Sequence, residues 1–132
     1  SLSMISNVSE MFGVEGYMTF RLIRAAATED RRRSADGQQR KYFVMFDGEL
    51  NYYASYRAYH EHPEQAESSR PVMVSEYNVI VSTKVSPYVI VLQPLEEERA
   101  SFEFQLDTID ELRAWQEGFM NQNAINCSEQ DT

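Results

Sequence analysis

Hydrophobic and polar positions alternate with a period of two through much of this chain. From Tyr17 to Arg24, Met18, Phe20 and Leu22 share one parity and Thr19 and Arg21 the other, which predicts a half-buried strand. Ser101–Leu106 repeats the pattern, with Phe102, Phe104 and Leu106 inward. Between them, runs rich in aromatic and β-branched residues at 40–46 and 49–55 flank Asp47-Gly48. That pair predicts a tight hairpin, because glycine accepts the positive φ such a turn needs. Further strands are expected near 72–75, 77–82 and 88–93; Pro71 confines the first to an edge or a strand start. The period then changes. Ile109, Leu112, Trp115, Phe119 and Met120 recur at helical spacing, and Thr108 with Glu111 makes a capping box, so a helix is expected over about 108–121.

The connecting segments are distinct. Residues 1–14 form an N-terminal extension in which Met4, Ile5, Val8, Met11 and Phe12 predict a short helix. Residues 25–39 are small or charged, with no apolar anchor, and are expected to be the least ordered internal segment. Residues 56–70 read as a loop with a helical turn before Pro63, and 122–132 as a polar, unstructured tail. Seven strands followed by one helix predict a mostly β domain: an antiparallel sheet bent into a barrel, its open end plugged by the helix through Trp115.

At 132 residues the chain fits one domain. No run approaches a membrane span, and no secretory apolar region opens it. Ser1-Leu2-Ser3-Met4 looks like an appended start, so a piece of a longer protein is expected. The one cysteine, Cys127, is read as an ordinary exposed thiol; it cannot form a disulfide within the chain, which fits a reducing, cytoplasmic setting.

Charge changes the picture more than composition does. The net charge of −9 argues against a nucleic-acid partner. Yet residues 16–46 hold Arg21, Arg24, Arg31, Arg32, Arg33, Arg40 and Lys41 against Glu29, Asp30 and Asp36, a net +4. The remaining five basic and eighteen acidic residues give −13. If that section folds to one end, the domain is an electrostatic dipole.

Little else points to chemistry. His60-Glu61-His62 lacks a third ligand at metal spacing, so no metal or cofactor is expected. There is no glycine-rich phosphate loop, nucleophile elbow or Cys–His couple, and the chain is not expected to be an enzyme, although its parent could be one, such as a kinase.

"EGYMTF" (15–20), "RKYFVMFDGELNYYAS" (40–55), "RPVM" (70–73), "SFEFQLDT" (101–108) and "DELRAWQEGF" (110–119) together resemble the successive landmarks of a pleckstrin-homology domain. The resemblance covers residues 15–121, and the single tryptophan seven residues after Thr108 is its most specific mark. It implies a non-catalytic signalling or targeting module within a larger protein. Members that hold polyphosphoinositides use a base late in the first strand and two more, one residue apart, at the start of the second. A tyrosine in the third strand and a base before the fourth assist. The first position falls on Phe20 and the next pair on Gln39 and Lys41, while Tyr52 and Arg70 fit the other two. Two of the three main phosphate ligands are therefore missing.

The expected site is a diffuse basic surface: Arg21, Arg24, Arg31, Arg32, Arg33, Arg40, Lys41 and Arg70 with Tyr52. Strand parity turns Arg21 away from Phe20 and Arg40 away from Lys41, toward a displaced pocket on the outer side of the barrel mouth. Two partners are in view. One is an anionic, phosphoinositide-containing membrane, held weakly and without selectivity through the first loop. The other is a protein, bound in trans or as an autoregulatory contact. Neither reading fixes an oligomeric state.

Overall fold

In the computed structural model, the described residues are 13–24, 34–35, 37–68, 70–84, 87–96, 98–122, 124 and 126–130. The expected N-terminal helix, Arg31–Arg33 and the Cys127 side chain lie outside them. In order, the elements are β1 (Gly13–Arg24), β2 (Ser34–Ala35), β3 (Gln39–Phe46), β4 (Glu49–Tyr53), α1 (Tyr56–Glu61) and β5 (Val72–Met73). A 3-10 turn (Val74–Glu76) leads to β6 (Tyr77–Ser82), β7 (Tyr88–Pro94), β8 (Ser101–Leu106), α2 (Ile109–Asn121) and β9 (Asn126–Gln130).

The seven expected strands are present, and the sheet runs β5-β4-β3-β1-β8-β7-β6-β9, with β2 on the end of β1. Its two terminal strands do not meet, so the bent sheet stays open. Three details differ from the sequence reading. β1 starts at Gly13, inside the expected extension. Ser34 and Ala35 pair back onto Arg24 and Ile23, so the long first connection carries a short ladder. The tail is not uniformly unstructured: β9 joins β6 in parallel, the only parallel pairing among the described residues, where an all-antiparallel sheet was expected.

Local chemistry explains most of the rest. Asp47 and Gly48 both take positive φ, 56° and 81°, which closes β3 onto β4 in the tight turn that their sequence favours. The Thr108 hydroxyl accepts from the Glu111 amide at 3.1 Å and caps α2. Met18, Phe20, Phe43, Met45, Val79, Val81, Ile90, Leu92 and Phe104 supply the inner face of the sheet. Leu112, Trp115 and Phe119 close one end of it from α2.

The helix approaches closely because Gly118 allows it. A Cβ on Gly16 would lie 4.0 Å from Cζ2 of Trp115, an ordinary contact, so the indole rests beside β1 without depending on that glycine. A Cβ on Gly118 would sit 2.6 Å from Cγ2 of Val14 and 2.8 Å from Cε of Met45. Past the helix, the buried Gln122 side chain accepts a hydrogen bond from the Gly48 amide, while the Gly48 carbonyl accepts from Val74 at 2.9 Å. The helix end, the β3–β4 turn and the entry to β6 are thereby tied together.

A second, aromatic layer covers the outside of β3 and β4. Ser55 caps α1 by accepting from the Ala58 amide at 3.1 Å. α1 then lays Tyr56 and Tyr59 on Tyr42, at ring distances of 5.3 and 5.9 Å. Tyr17 packs on Tyr42 at 4.9 Å and Tyr53 on Tyr59 at 4.9 Å. Tyr42 donates a short hydrogen bond to Glu15, and Tyr53 donates to the Pro63 carbonyl at 2.6 Å. The dense tyrosines of 52–59 thus divide: Tyr52 points inward onto Phe20 and Phe43, and the other three build this outer layer.

Two outcomes follow from this packing. Trp115→Ala should lower the unfolding free energy by about 3–5 kcal/mol, and Gly118→Ala by about 1–3 kcal/mol through overpacking against the β-branched Val14. Urea titration measures both; a midpoint left unchanged by either would contradict the seating of α2. Burial also raises the pKa of Tyr42, Tyr53, Tyr59 and Tyr77, with the Glu15 carboxylate adding to the effect at Tyr42 and Tyr59. An unfolded tyrosine ionises near about 10, so these phenols support the fold fully below that pH and lose that support as pH climbs through their folded values. Stability should therefore fall above about pH 10, together with a delayed rise in phenolate absorbance. Flat stability there would refute it.

Candidate functional site

The end of the barrel opposite α2 is a mouth. β1 ends there at Arg24, β3 begins at Gln39, β4 ends at Tyr53, and the turn between β7 and β8 returns beside Ile23. This gathers Arg21, Arg24, Arg40 and Lys41 at one end.

On the inner side, Phe20 occupies the place where the resemblance expects a cation. It pairs with Gln39 across β3 and with Phe104 across β8. Its ring, 2 % exposed, lies 5.1 Å from Phe43, 5.2 Å from Tyr52 and 6.3 Å from Phe102. The Phe20 ring offers a phosphate neither charge nor donor, and an anion placed on it would lose hydration uncompensated. Gln39 is exposed and neutral.

Lys41 does face inward, opposite Met18, but its ammonium is already engaged. The Glu67 carboxylate lies 2.8 Å from Nζ, with the two side chains 21 % and 42 % exposed in the order Lys41, Glu67. That carboxylate is fixed by its own backbone. The Glu67 amide donates to the Tyr52 carbonyl at 2.8 Å. The neighbouring Ser68 hydroxyl lies 3.0 Å from Oδ1 of Asn51 and 3.4 Å from the Tyr52 amide. Residues 67–68 are therefore fastened along β4, and the charge of Lys41 is answered from within. Tyr52 is half-buried and committed to Phe20 and Phe43; Arg70 is exposed beside this segment.

The outer side is equally self-compensated. Arg21 contacts Glu103, its cross-strand partner, at 2.5 Å. Arg40 reaches Thr19 at 3.4 Å and lays its guanidinium 5.6 Å from the centre of the Tyr17 ring. The Tyr17 hydroxyl in turn accepts from the Tyr56 amide at 2.8 Å, so Arg40 borders the tyrosine layer rather than an open pocket. Arg24 is exposed at the last position of β1, next to the segment that carries Arg31–Arg33.

The described cations Arg21 and Lys41 thus have acidic partners, Glu103 and Glu67, that the sequence pattern did not single out. Glu103 was recoverable, since it lies opposite Arg21 in adjacent alternating strands. Glu67 was not, because nothing in "HPEQAESSR" shows that residues 67–68 return to β4. His60 stacks on Tyr56 at 5.7 Å and His62 lies 3.8 Å from Glu64, so the paired histidines serve separate local contacts.

No protein-family model and no curated protein sequence matches the chain. Solved structures do. The pleckstrin homology domain of ArhGAP27 superposes with a TM-score of 0.57 at 14% identity, over 84% of this chain and 98% of that one. Vav1, in a structure concerned with the structural role of the PH and C1 domains of this exchange factor, gives 0.56 at 14% identity over 83% of this chain. A second Vav1 structure, held by an allosteric inhibitor, gives 0.52 at 15% identity over 83%. This chain spans 25% and 17% of those two Vav1 chains. At these identities the likeness is one of architecture: the chain has the pleckstrin-homology fold.

Proposed function

We propose that this chain is a non-catalytic signalling and targeting module of a larger cytoplasmic protein, and that it meets anionic, phosphoinositide-containing membranes weakly and without headgroup selection. The observation that carries this reading is the state of the inner mouth. Phe20 sits in an aromatic cluster, Gln39 is neutral, and Lys41 is paired with Glu67 at 2.8 Å. A selective headgroup site needs several convergent, fixed donors. What remains is a basic rim of Arg40 and Arg70, extended along the sequence by Arg31–Arg33 in the connection that follows β1.

Magnitudes fit transient contact. Each base near an anionic leaflet contributes ~1 kcal/mol. Glu67 and Glu103 at the mouth, with Arg70 added, lower the net +4 of residues 16–46 to +3; that gives about 3 kcal/mol, or millimolar affinity, before salt screening over ~8 Å weakens it. Stable recruitment would require a second contact supplied by a neighbouring domain or another copy.

The pairing of Arg21 with Glu103 and of Lys41 with Glu67 favours a second reading, in which the fold serves protein contacts or restrains an attached domain, such as a kinase. The critical structural role described for the PH and C1 domains of Vav1 supports a reading in which the fold serves contacts within a larger protein.

Liposome sedimentation separates the two. Replacing Arg31, Arg32 and Arg33 with alanine removes up to about 3 kcal/mol of unscreened attraction. It should abolish binding to anionic vesicles at low salt while leaving thermal unfolding unchanged. Binding that persists would move the contact off the first loop, and no binding by the native chain would favour the protein-docking reading. Glu67→Gln should release the charge of Lys41 and strengthen vesicle binding about fivefold, the equivalent of ~1 kcal/mol. Adding Lys41→Ala should cancel that gain. If Lys41→Ala alone eliminated a micromolar, headgroup-specific interaction, the non-selective reading would fail.

A further inference from the structure

β9 is poorly suited, on its own sequence, to the place it occupies. It pairs with β6 over five positions, from Asn78↔Asn126 to Ser82↔Gln130. Its residues, Asn-Cys-Ser-Glu-Gln, include no β-branched or aromatic side chain, and parallel pairing is slightly weaker per residue than antiparallel. β6 is the opposite case. Tyr77-Asn-Val-Ile-Val-Ser is a strong strand, and its Val79 and Val81 are fully buried.

Among the described residues, two features besides the backbone ladder hold β9 in place. One is its short tether, since α2 ends at Asn121 and β9 starts at Asn126. That keeps the local concentration of the segment high whatever its intrinsic affinity. The other is a single side chain. Glu129 is 2.6 Å from the Thr83 hydroxyl and 3.5 Å from Nη1 of Arg113. The Thr83 hydrogen bond, with Arg113 and Lys84 nearby, holds its carboxyl below the ordinary range. Thr83 follows β6 and Arg113 lies on α2, so the carboxylate is read at the junction of the two elements that flank the groove.

Without β9, the β6 edge would present unpaired amides and carbonyls on a β-branched strand, beside a basic corner. We propose that the groove between β6 and α2 is a docking site for an extended peptide segment of a partner protein, running parallel to β6 and carrying a carboxylate at the register position of Glu129. β9 is its resident stand-in. Main-chain pairing supplies the affinity, while Thr83 and Arg113 select the acid. A segment with β-branched residues at the positions of Asn126 and Ser128 would suit β6 better than the native tail does. The site is separate from the basic mouth, and its occupancy is independent of membrane contact.

The test uses the full chain and, as the probe for a partner segment, a synthetic peptide of residues 124–132 carrying Asn126→Val and Ser128→Val, which needs no tether to pair with β6. Two variants disengage the tail. In the first, Cys127→Pro and Ser128→Pro are combined, because one of two adjacent strand residues must turn its amide toward β6. The second, Glu129→Lys, breaks the pin at an exposed position without proline. Each variant that keeps the native melting transition should bind the peptide saturably, with amide shifts confined to Asn78–Thr83 and the neighbourhood of Arg113. The native chain should bind it at least tenfold more weakly, and a peptide carrying Glu129→Lys should lose at least tenfold on either variant. Absence of saturable binding to the folded Glu129→Lys chain would overturn the proposal. So would shifts elsewhere, equal affinity for native and disengaged chains, or indifference to the charge at position 129.

Discussion

Everything in this molecule depends on how closely α2 can approach the sheet. Trp115 rests beside β1 at Gly16, and Gly118 leaves no room for a methyl between the helix and Val14 or Met45. That contact seals one end of a sheet whose terminal strands never meet, and an unsealed bent sheet would expose Met45, Val79 and Leu92 to water. Because the helix occupies one end, the termini of β1, β3 and β4 are left to define the other. The location of the mouth is therefore a consequence of core packing and carries no information about what the mouth binds.

At the mouth, charge and its compensation are built from the same ladder geometry. Cross-strand register sets Glu103 beside Arg21, and the return of residues 67–68 to β4 sets Glu67 beside Lys41. Exposed ion pairs of this kind add little stability. Their larger effect is on recognition, because each converts a cation that could meet a phosphate into a local dipole. A chain strongly acidic outside residues 16–46 can gather described cations at one end and still answer two of them, Arg21 and Lys41, from within.

The periodicity of the sequence made most of the fold legible. Alternation at 17–24 and 101–106, the Asp47-Gly48 turn, and the change to helical spacing after Thr108 are local signals, each produced by the face that an element buries. β9 escaped for a physical reason. Its polar residues carry no strand preference, and its pairing comes from the tether and from Glu129 meeting Thr83 and Arg113, groups remote in sequence. The tyrosine layer was not legible, because the role of α1 in placing Tyr56 and Tyr59 on Tyr42 depends on a three-dimensional return. At the site, the cations were readable and Glu67 was not, for the same reason.

The placement of the aromatic rings divides the molecule into two optical compartments. The single indole lies at the end sealed by α2, beside Phe119 at 6.0 Å, and reports on that closure. The rings nearest the basic mouth are phenols and phenyls, with Tyr17 beneath the Arg40 guanidinium and Tyr52 against Phe20. An anion arriving there would leave tryptophan emission almost unchanged, and a titration followed at indole wavelengths would record silence even at saturation. Tyrosine signals, or a label on the rim itself, are the channels through which this mouth can be heard.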